Sequence, residues 1–355
     1  MQAILAELLA GRNLTRDEAE HAFGEVLGGR ANESQVGAML ALLQVKGVTV
    51  DELVGGARVM RAHATSVPLD PARSQELRRG LVDTCGTGGT PKTFNISTAA
   101  ALVTAAGGAI AARETPGGVR VRVAKHGGRS RSGRGSAEVL AALGVNIDAE
   151  PAVQARCLEE VGVCFSFAVN HHPAMKFAAG PRKSLGFPTV FNLLGPLCNP
   201  AGARRQVMGV YDASKVELVA SALAELGAEE ALVVHGRDGM DEITTTDRTI
   251  AAHVRRGGVE LMEIDASALG VARARLSDLT VASLDEGAEL VRRVLGGEPG
   301  PARDIVALNA GAALMVGGAC ATLAEGLALA HRAIESAASE AALGELIRLS
   351  NLERP

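Results

Sequence analysis

The sequence predicts an α/β protein. A small all-helical domain comes first, then a larger α/β domain whose mostly parallel central sheet is flanked by helices. Three observations support this. Helix-capping signatures follow one another through the first fifty or so residues with no strand signal between them. Beyond Val67, Pro68 and Pro71, short β-rich runs alternate with helical ones, the pattern of a parallel sheet covered by helices. The composition, with 42 glycines, no tryptophan and one tyrosine, suits helices packed closely on a sheet. At 355 residues the chain exceeds one small core, and 47% hydrophobic content fills a globular interior.

The helical region is defined by Thr15 with Glu18, Asn32 with Gln35 and Thr49 with Glu52. At this spacing the first side chain accepts a free N–H of the opening turn and the second reaches back. Met39, Leu40, Leu43 and Val45 supply an apolar face after the second cap. The proline-bearing stretch near Val67 ends the helices, because a proline biases its predecessor away from helix. Strands are then expected from Gly80 to Cys85 and over 161–167, 206–211 and 231–234. Helices are expected over 137–143, 214–226 and 322–349, and a surface loop from Arg113 to Gly118.

The net charge of −4 and the scarcity of aromatics argue against a nucleic-acid-binding surface. Cys85, Cys157, Cys164, Cys198 and Cys320 are odd in number and form no C-x-x-C pair, which suits reduced thiols in a cytoplasmic protein. Glu7 interrupts the N-terminal apolar stretch, which has no basic flank, so no signal peptide is expected. No apolar run reads as long enough to span a bilayer.

Four motifs carry chemistry. Gly86, Thr87, Gly88, Gly89 and Thr90 follow the first strand, and Asn95, Ile96, Ser97 and Thr98 open a helix. Glycines let backbone amides approach an anion, and a helix start favours phosphate. The glycines alone fit an ordinary strand–turn–helix equally well. Pro91 excludes a dinucleotide fingerprint, and Lys92 follows proline rather than the glycine a P-loop needs. The second motif, Lys125 to Ser136, reads as a basic, hydroxyl-rich, flexible loop able to bind several phosphate oxygens, or as a solvated basic turn. Third, His171, His172, Pro173, Ala174 and Met175 precede Arg182, whose fork matches a carboxylate, and the run from Phe191 to Pro200. Adjacent histidines point apart and make a poor metal pair. Fourth, Asp241 and Glu242 follow the strand at 231–234, a pair suited to magnesium bridging a pyrophosphate, or a plain acidic turn.

In order and approximate spacing these motifs resemble the anthranilate phosphoribosyltransferases. That family's pattern is G-T-G-G-D, N-[IV]-S-T, K-H-G-N-R, H-P-A-M, a following Arg, F-N-x-L-G-P-L-x-N-P and H-G-x-D-G-x-D-E. The resemblance runs along nearly the whole chain. It implies a cytoplasmic homodimer that transfers the phosphoribosyl group of 5-phosphoribosyl pyrophosphate (PRPP) to anthranilate, with Mg2+, in tryptophan biosynthesis. It implies a helical domain of residues 1–72, joined by helices from about 172–195, and a phosphoribosyltransferase domain of residues 73–355. PRPP would be held by Gly86, Gly89, Thr90, Thr93, Asn95, Ile96, Ser97 and Thr98. The second motif would add Lys125, His126, Gly127, Gly128, Arg129, Ser130, Ser132 and Ser136. Anthranilate would meet Gly86, Gly128 and Arg182, and Mg2+ would meet Ser97, Asp241 and Glu242. No general base is assigned; His126 is the candidate.

The chain departs from the family at Thr90, where the family has Asp, and at Gly128, where it has Asn. Both loops are one residue short, and 109–122 carries extra residues. Three other readings stand beside the first: a relative with another aromatic acceptor, a pyrimidine nucleoside phosphorylase, and a non-catalytic relative that binds ligands or nucleic acid. The acidic pair argues against the phosphorylase.

Overall fold

Each predicted cap closes as the sequence requires. In the computed structural model, which describes residues 1–88, 93–130 and 133–352, Thr15, Asn32 and Thr49 form reciprocal boxes with Glu18, Gln35 and Glu52. They open the helices Arg16–Leu27, Glu33–Lys46 and Val50–Ala62. Glu52 is fully buried and reaches further than its own cap: it accepts the Leu14 amide at 2.9 Å and pairs with Lys46 at 3.0 Å. Such partners offset the cost of taking a carboxylate out of water.

Seven strands form one sheet: β1 (Leu81–Asp83), β2 (Arg122–Gly127), β3 (Val163–Phe167), β4 (Arg205–Gly209), β5 (Glu230–Gly236), β6 (Thr249–Arg255) and β7 (Gly258–Ile264). Their order is β3-β2-β1-β4-β5-β6-β7. The first five pair in parallel, and β5, β6 and β7 form an antiparallel extension. Alternate residues face opposite sides. Val207, Leu232, Val234 and Ala251 join a core with the helices Ile96–Glu114, Pro301–Gly317 and Leu323–Glu335. Met208, Ala231, Val233 and Ala252 join the other core, which runs on through helix Val216–Glu225 into the N-terminal helices. The helical bundle is therefore not closed on itself. It shares its core with one face of the sheet and with Ala178, Phe191 and Leu194 from the helices Lys176–Leu185 and Val190–Leu194.

Three expectations need correction. Lys125, His126 and Gly127 lie on β2 and not in a flexible loop. Charge misled the reading: Arg122 pairs with Glu76 at 2.7 Å and Lys125 donates to Ser97, and with these partners a strand carrying basic residues is buried nearly end to end. The β6–β7 hairpin gave no expected strand pair. Helix Ile96–Glu114 is long and apolar enough to cross a membrane, because its alanines with Ile, Leu and Val sum to high hydropathy; most of it is buried inside the protein.

Candidate active site

Strand order reverses between β1 and β4, and in open α/β sheets ligands settle outside the strand ends at such a point. The loops leaving β1, β2 and β5 meet there around a cleft of about 650 Å³. From the first loop and helix start, Gly86, Thr93, Asn95, Ile96 and Ser97 line it. From β2 and the turn after it come Lys125, His126, Gly127, Gly128, Arg129 and Ser130, followed by Ser136 at the next helix. Arg182 faces them from the helical side, and Asp241 and Glu242 complete the wall. Thr98 does not line the cleft; its hydroxyl is buried in the helix packing without a hydrogen-bond partner. Gly89, Thr90 and Ser132 lie outside the described residues.

The floor is a set of mutually held charges. The Lys125 ammonium is 3% exposed and donates to Ser97 Oγ at 3.1 Å. The Gly88 amide donates to Asp241 Oδ2 at 2.9 Å, which ties the glycine turn to the acidic loop. Burial, then the neighbouring Asp241 charge, pushes the Glu242 carboxyl above the usual range, while Lys125 and the Ser97 amide pull it back. Two adjacent carboxylates, one of them reluctant to ionise, suit a divalent cation, whose charge removes the repulsion between them. Ser97 stands beside them.

Behind the floor, Asp83 closes β1. It is 1% exposed, accepts the His126 amide at 3.2 Å and takes Asn199 Nδ2 at 2.8 Å. Burial raises its carboxyl to about 6, against the Asn199 hydrogen bond and the Lys125 charge. Asn199 also donates to the Ala124 carbonyl at 2.8 Å. The sequence reading assigns Asp83, Asn199, Thr87 and Asn192 no role. Thr87 accepts the Tyr211 amide at 2.9 Å, and Asn192 lines the cleft. Asn192 and Asn199 fall within the quoted run from Phe191 to Pro200, so that motif held the signal.

The adjacent histidines do point apart. His171 meets the Thr65 carbonyl at 2.6 Å and Gln154 at 3.0 Å, tying the linker between the domains to the larger one. His172 packs edge-on to His126, with ring centroids 5.0 Å apart. Neither ring makes a well-formed hydrogen bond. Burial lowers His126 to about 3 and His172 to about 4, and the neighbouring histidines add to the effect. Both rings are therefore neutral in the fold at pH 7. Unfolding releases each to the ordinary value near 6.5, so the unfolded chain binds more protons between about pH 4 and 6.5. These groups thus lower stability as pH falls through that window. Replacing His172 by Asn is expected to flatten the stability–pH slope there by about 1.4 kcal/mol per pH unit. Urea unfolding at a series of pH values measures this, and an unchanged slope refutes it.

The two-domain architecture, with a cleft at the switch point, is that of a glycosyl transferase by comparison with known proteins. The profile of the glycosyl transferase family helical bundle domain matches residues 2–64, and that of the family's a/b domain matches residues 78–340. The anthranilate phosphoribosyltransferase of Anaeromyxobacter dehalogenans is 48% identical over 349 residues, 98% of each chain. That of Acetivibrio thermocellus is 44% identical over 353 residues, 99% of this chain and 97% of the other. The crystal structure of the Thermus thermophilus enzyme superposes with a TM-score of 0.88 at 37% identity, covering 98% of this chain and 99% of that one. The chain belongs to the anthranilate phosphoribosyltransferase family.

Proposed function

We propose that this protein transfers the phosphoribosyl group of PRPP to the amine of anthranilate, giving N-(5-phosphoribosyl)anthranilate and pyrophosphate, in tryptophan biosynthesis. The observation that carries this is the convergence on one cleft of a buried lysine, a glycine turn at a helix start, paired carboxylates and, opposite them, Arg182. The phosphates are held by Gly86, Ser97, Lys125 and the hydroxyl-bearing residues Ser130 and Ser136. Asp241, Glu242 and Ser97 would hold Mg2+, which when bound would neutralise charge on the pyrophosphate. As pyrophosphate departs, positive charge grows on the sugar carbon, and the fixed Lys125 ammonium of the floor stabilises the leaving oxygens. The aromatic amine is already a nucleophile, so holding it in line is the main task. His126 is uncharged, and both its ring nitrogens are buried in the wall. Support for Mg2+ comes from the acidic pair itself; the Saccharomyces cerevisiae enzyme, solved with PRPP and Mg, shares the fold at a TM-score of 0.84. The homodimer and the cytoplasmic setting are part of the same proposal. Leu9 and Val45, 76% and 87% exposed on the helical domain, support a partner surface. Mixing the protein with PRPP, Mg2+ and anthranilate and following anthranilate fluorescence tests the reaction. A PRPP-dependent loss of signal is expected, and no loss refutes it.

Arg182 holds the anthranilate carboxylate. Its guanidinium stacks 5.4 Å over the Phe191 ring, which fixes the plane of the fork. Arg182→Ala is expected to raise KM for anthranilate by roughly ten- to a hundred-fold, the equivalent of about 1.5–3 kcal/mol for a charge-assisted contact, and to leave KM for PRPP unchanged. A defect that fell on PRPP instead would make Arg182 a phosphate ligand.

Gly128 stands where the family places an amide side chain. Among the described residues a Cβ there meets only Ala168, at 3.9 Å, so the position has room for a side chain. Gly128→Asn is expected to fold normally and to sharpen preference for anthranilate over substituted anthranilates by about 1–3 kcal/mol. Steady-state rates on a panel of ring-substituted acceptors measure the shift. Strict selectivity already present in the unmodified protein would remove the idea.

A further inference from the structure

The sheet has a second concave end. Opposite the cleft, where β1 and β4 begin, the linker between the domains covers a cavity of about 430 Å³, within the range of small-molecule sites. Arg61, Arg78 and Arg204 line it, and no aspartate or glutamate does. Arg204 pairs with Glu229 at 3.4 Å, outside the lining. Arg61 and Arg78 have no ion-pair partner among the described residues: Arg61 Nε donates to the Leu197 carbonyl at 2.8 Å and Arg78 Nη1 to that of Ala201 at 3.4 Å. Both side chains are exposed at the cavity's edge, where their remaining N–H groups are open to an anion from solvent. The rest of the wall is largely apolar, with Val67, Leu69 and Leu223 prominent.

We propose that this cavity binds a small carboxylic acid with an apolar body, its carboxylate on the Arg61 and Arg78 guanidiniums and its body against Leu69 and Leu223. Arginine forks match carboxylates with two parallel hydrogen bonds, and the apolar wall favours a hydrocarbon ring over a bare inorganic ion. The site is independent of the phosphoribosyl-transfer reading. It touches the working end through Asn199, which lines this cavity and also hydrogen-bonds Asp83.

The probe is 4-bromobenzoate, soaked into crystals of the full chain, with bromine anomalous scattering locating each bound molecule. A bromine peak in the hinge cavity, with the carboxylate against Arg61 and Arg78, is expected. Calorimetric titration of the same compound in an Arg182→Ala background, which removes the acceptor contact, is expected to show binding. That binding should weaken at least ten-fold on adding Arg61→Ala and Arg78→Ala. If the double alanine variant unfolds, Arg61→Lys with Arg78→Lys keeps the charge and removes the fork, and a several-fold weakening is expected. A peak beside Arg182 alone with the hinge cavity empty overturns the proposal. So does a cavity peak whose titration the arginine variants leave unchanged.

Discussion

Asp241→Asn and Glu242→Gln are each expected to lower turnover with PRPP by about a hundred-fold, the equivalent of about 3 kcal/mol of electrostatic stabilisation at the leaving group. The two residues stand side by side on the loop after β5, and Asp241 is also the acceptor for the Gly88 amide, so each removal weakens the charge that holds the cation against the pyrophosphate. Stability moves the other way for Glu242. Its carboxyl is raised in the fold by burial and by Asp241, so in the folded chain it stays protonated at pH values where the unfolded chain has already ionised. The folded state then binds more protons, and stability falls as pH rises above the unfolded value near 4.3. Glu242→Gln removes that loss, and the variant is expected to be as stable as the parent or more so at pH 8. Single-turnover rates across a magnesium titration, with thermal midpoints at two pH values, measure both effects. Parent-like turnover and magnesium dependence in both variants would remove the pair from the site.

Gly209→Ala is expected to disable the protein almost as thoroughly from a residue that touches no substrate in this proposal. A Cβ at that position would lie 1.5 Å from the Asp241 carbonyl oxygen and 2.4 Å from its carbon. Both are backbone atoms, so no side-chain rotation relieves the clash and the acidic loop itself must shift. Gly209 also accepts the Thr87 amide at 2.9 Å, so the same shift disturbs the glycine turn. Turnover is expected to fall roughly a hundred-fold, since a misplaced carboxylate pair serves no better than a missing one. Overpacking is expected to cost about 1–3 kcal/mol of stability. Gly128→Asn provides the contrast: it adds a larger side chain to the same cleft where the structure leaves room. Urea midpoints and turnover for the two variants, measured together, separate crowding from chemistry. A Gly209→Ala protein with parent-like turnover would show that the acidic loop need not stand where it does.

The capping boxes, the strand at 163–167 and the opening of helix Ile96–Glu114 at Asn95 were legible in the sequence because each is decided within one helical turn or a few strand residues. The glycine turn, Lys125, Arg182 and the acidic pair were legible as chemistry for the same reason: residue type and near neighbours suffice to suggest an anion loop, a fork or a cation pair. Tertiary structure alone decided that Lys125 and His126 belong to a buried strand, since a basic run is placed inside only when Glu76, Ser97 and Asp83 arrive from elsewhere to satisfy it. It also decided that Gly88 and Asp241, 153 residues apart, share a hydrogen bond, and that His172 rests on His126. Such contacts depend on strand order and on which face each strand presents. Those follow from how the apolar faces of separate elements bury one another, and no local stretch of the chain encodes that.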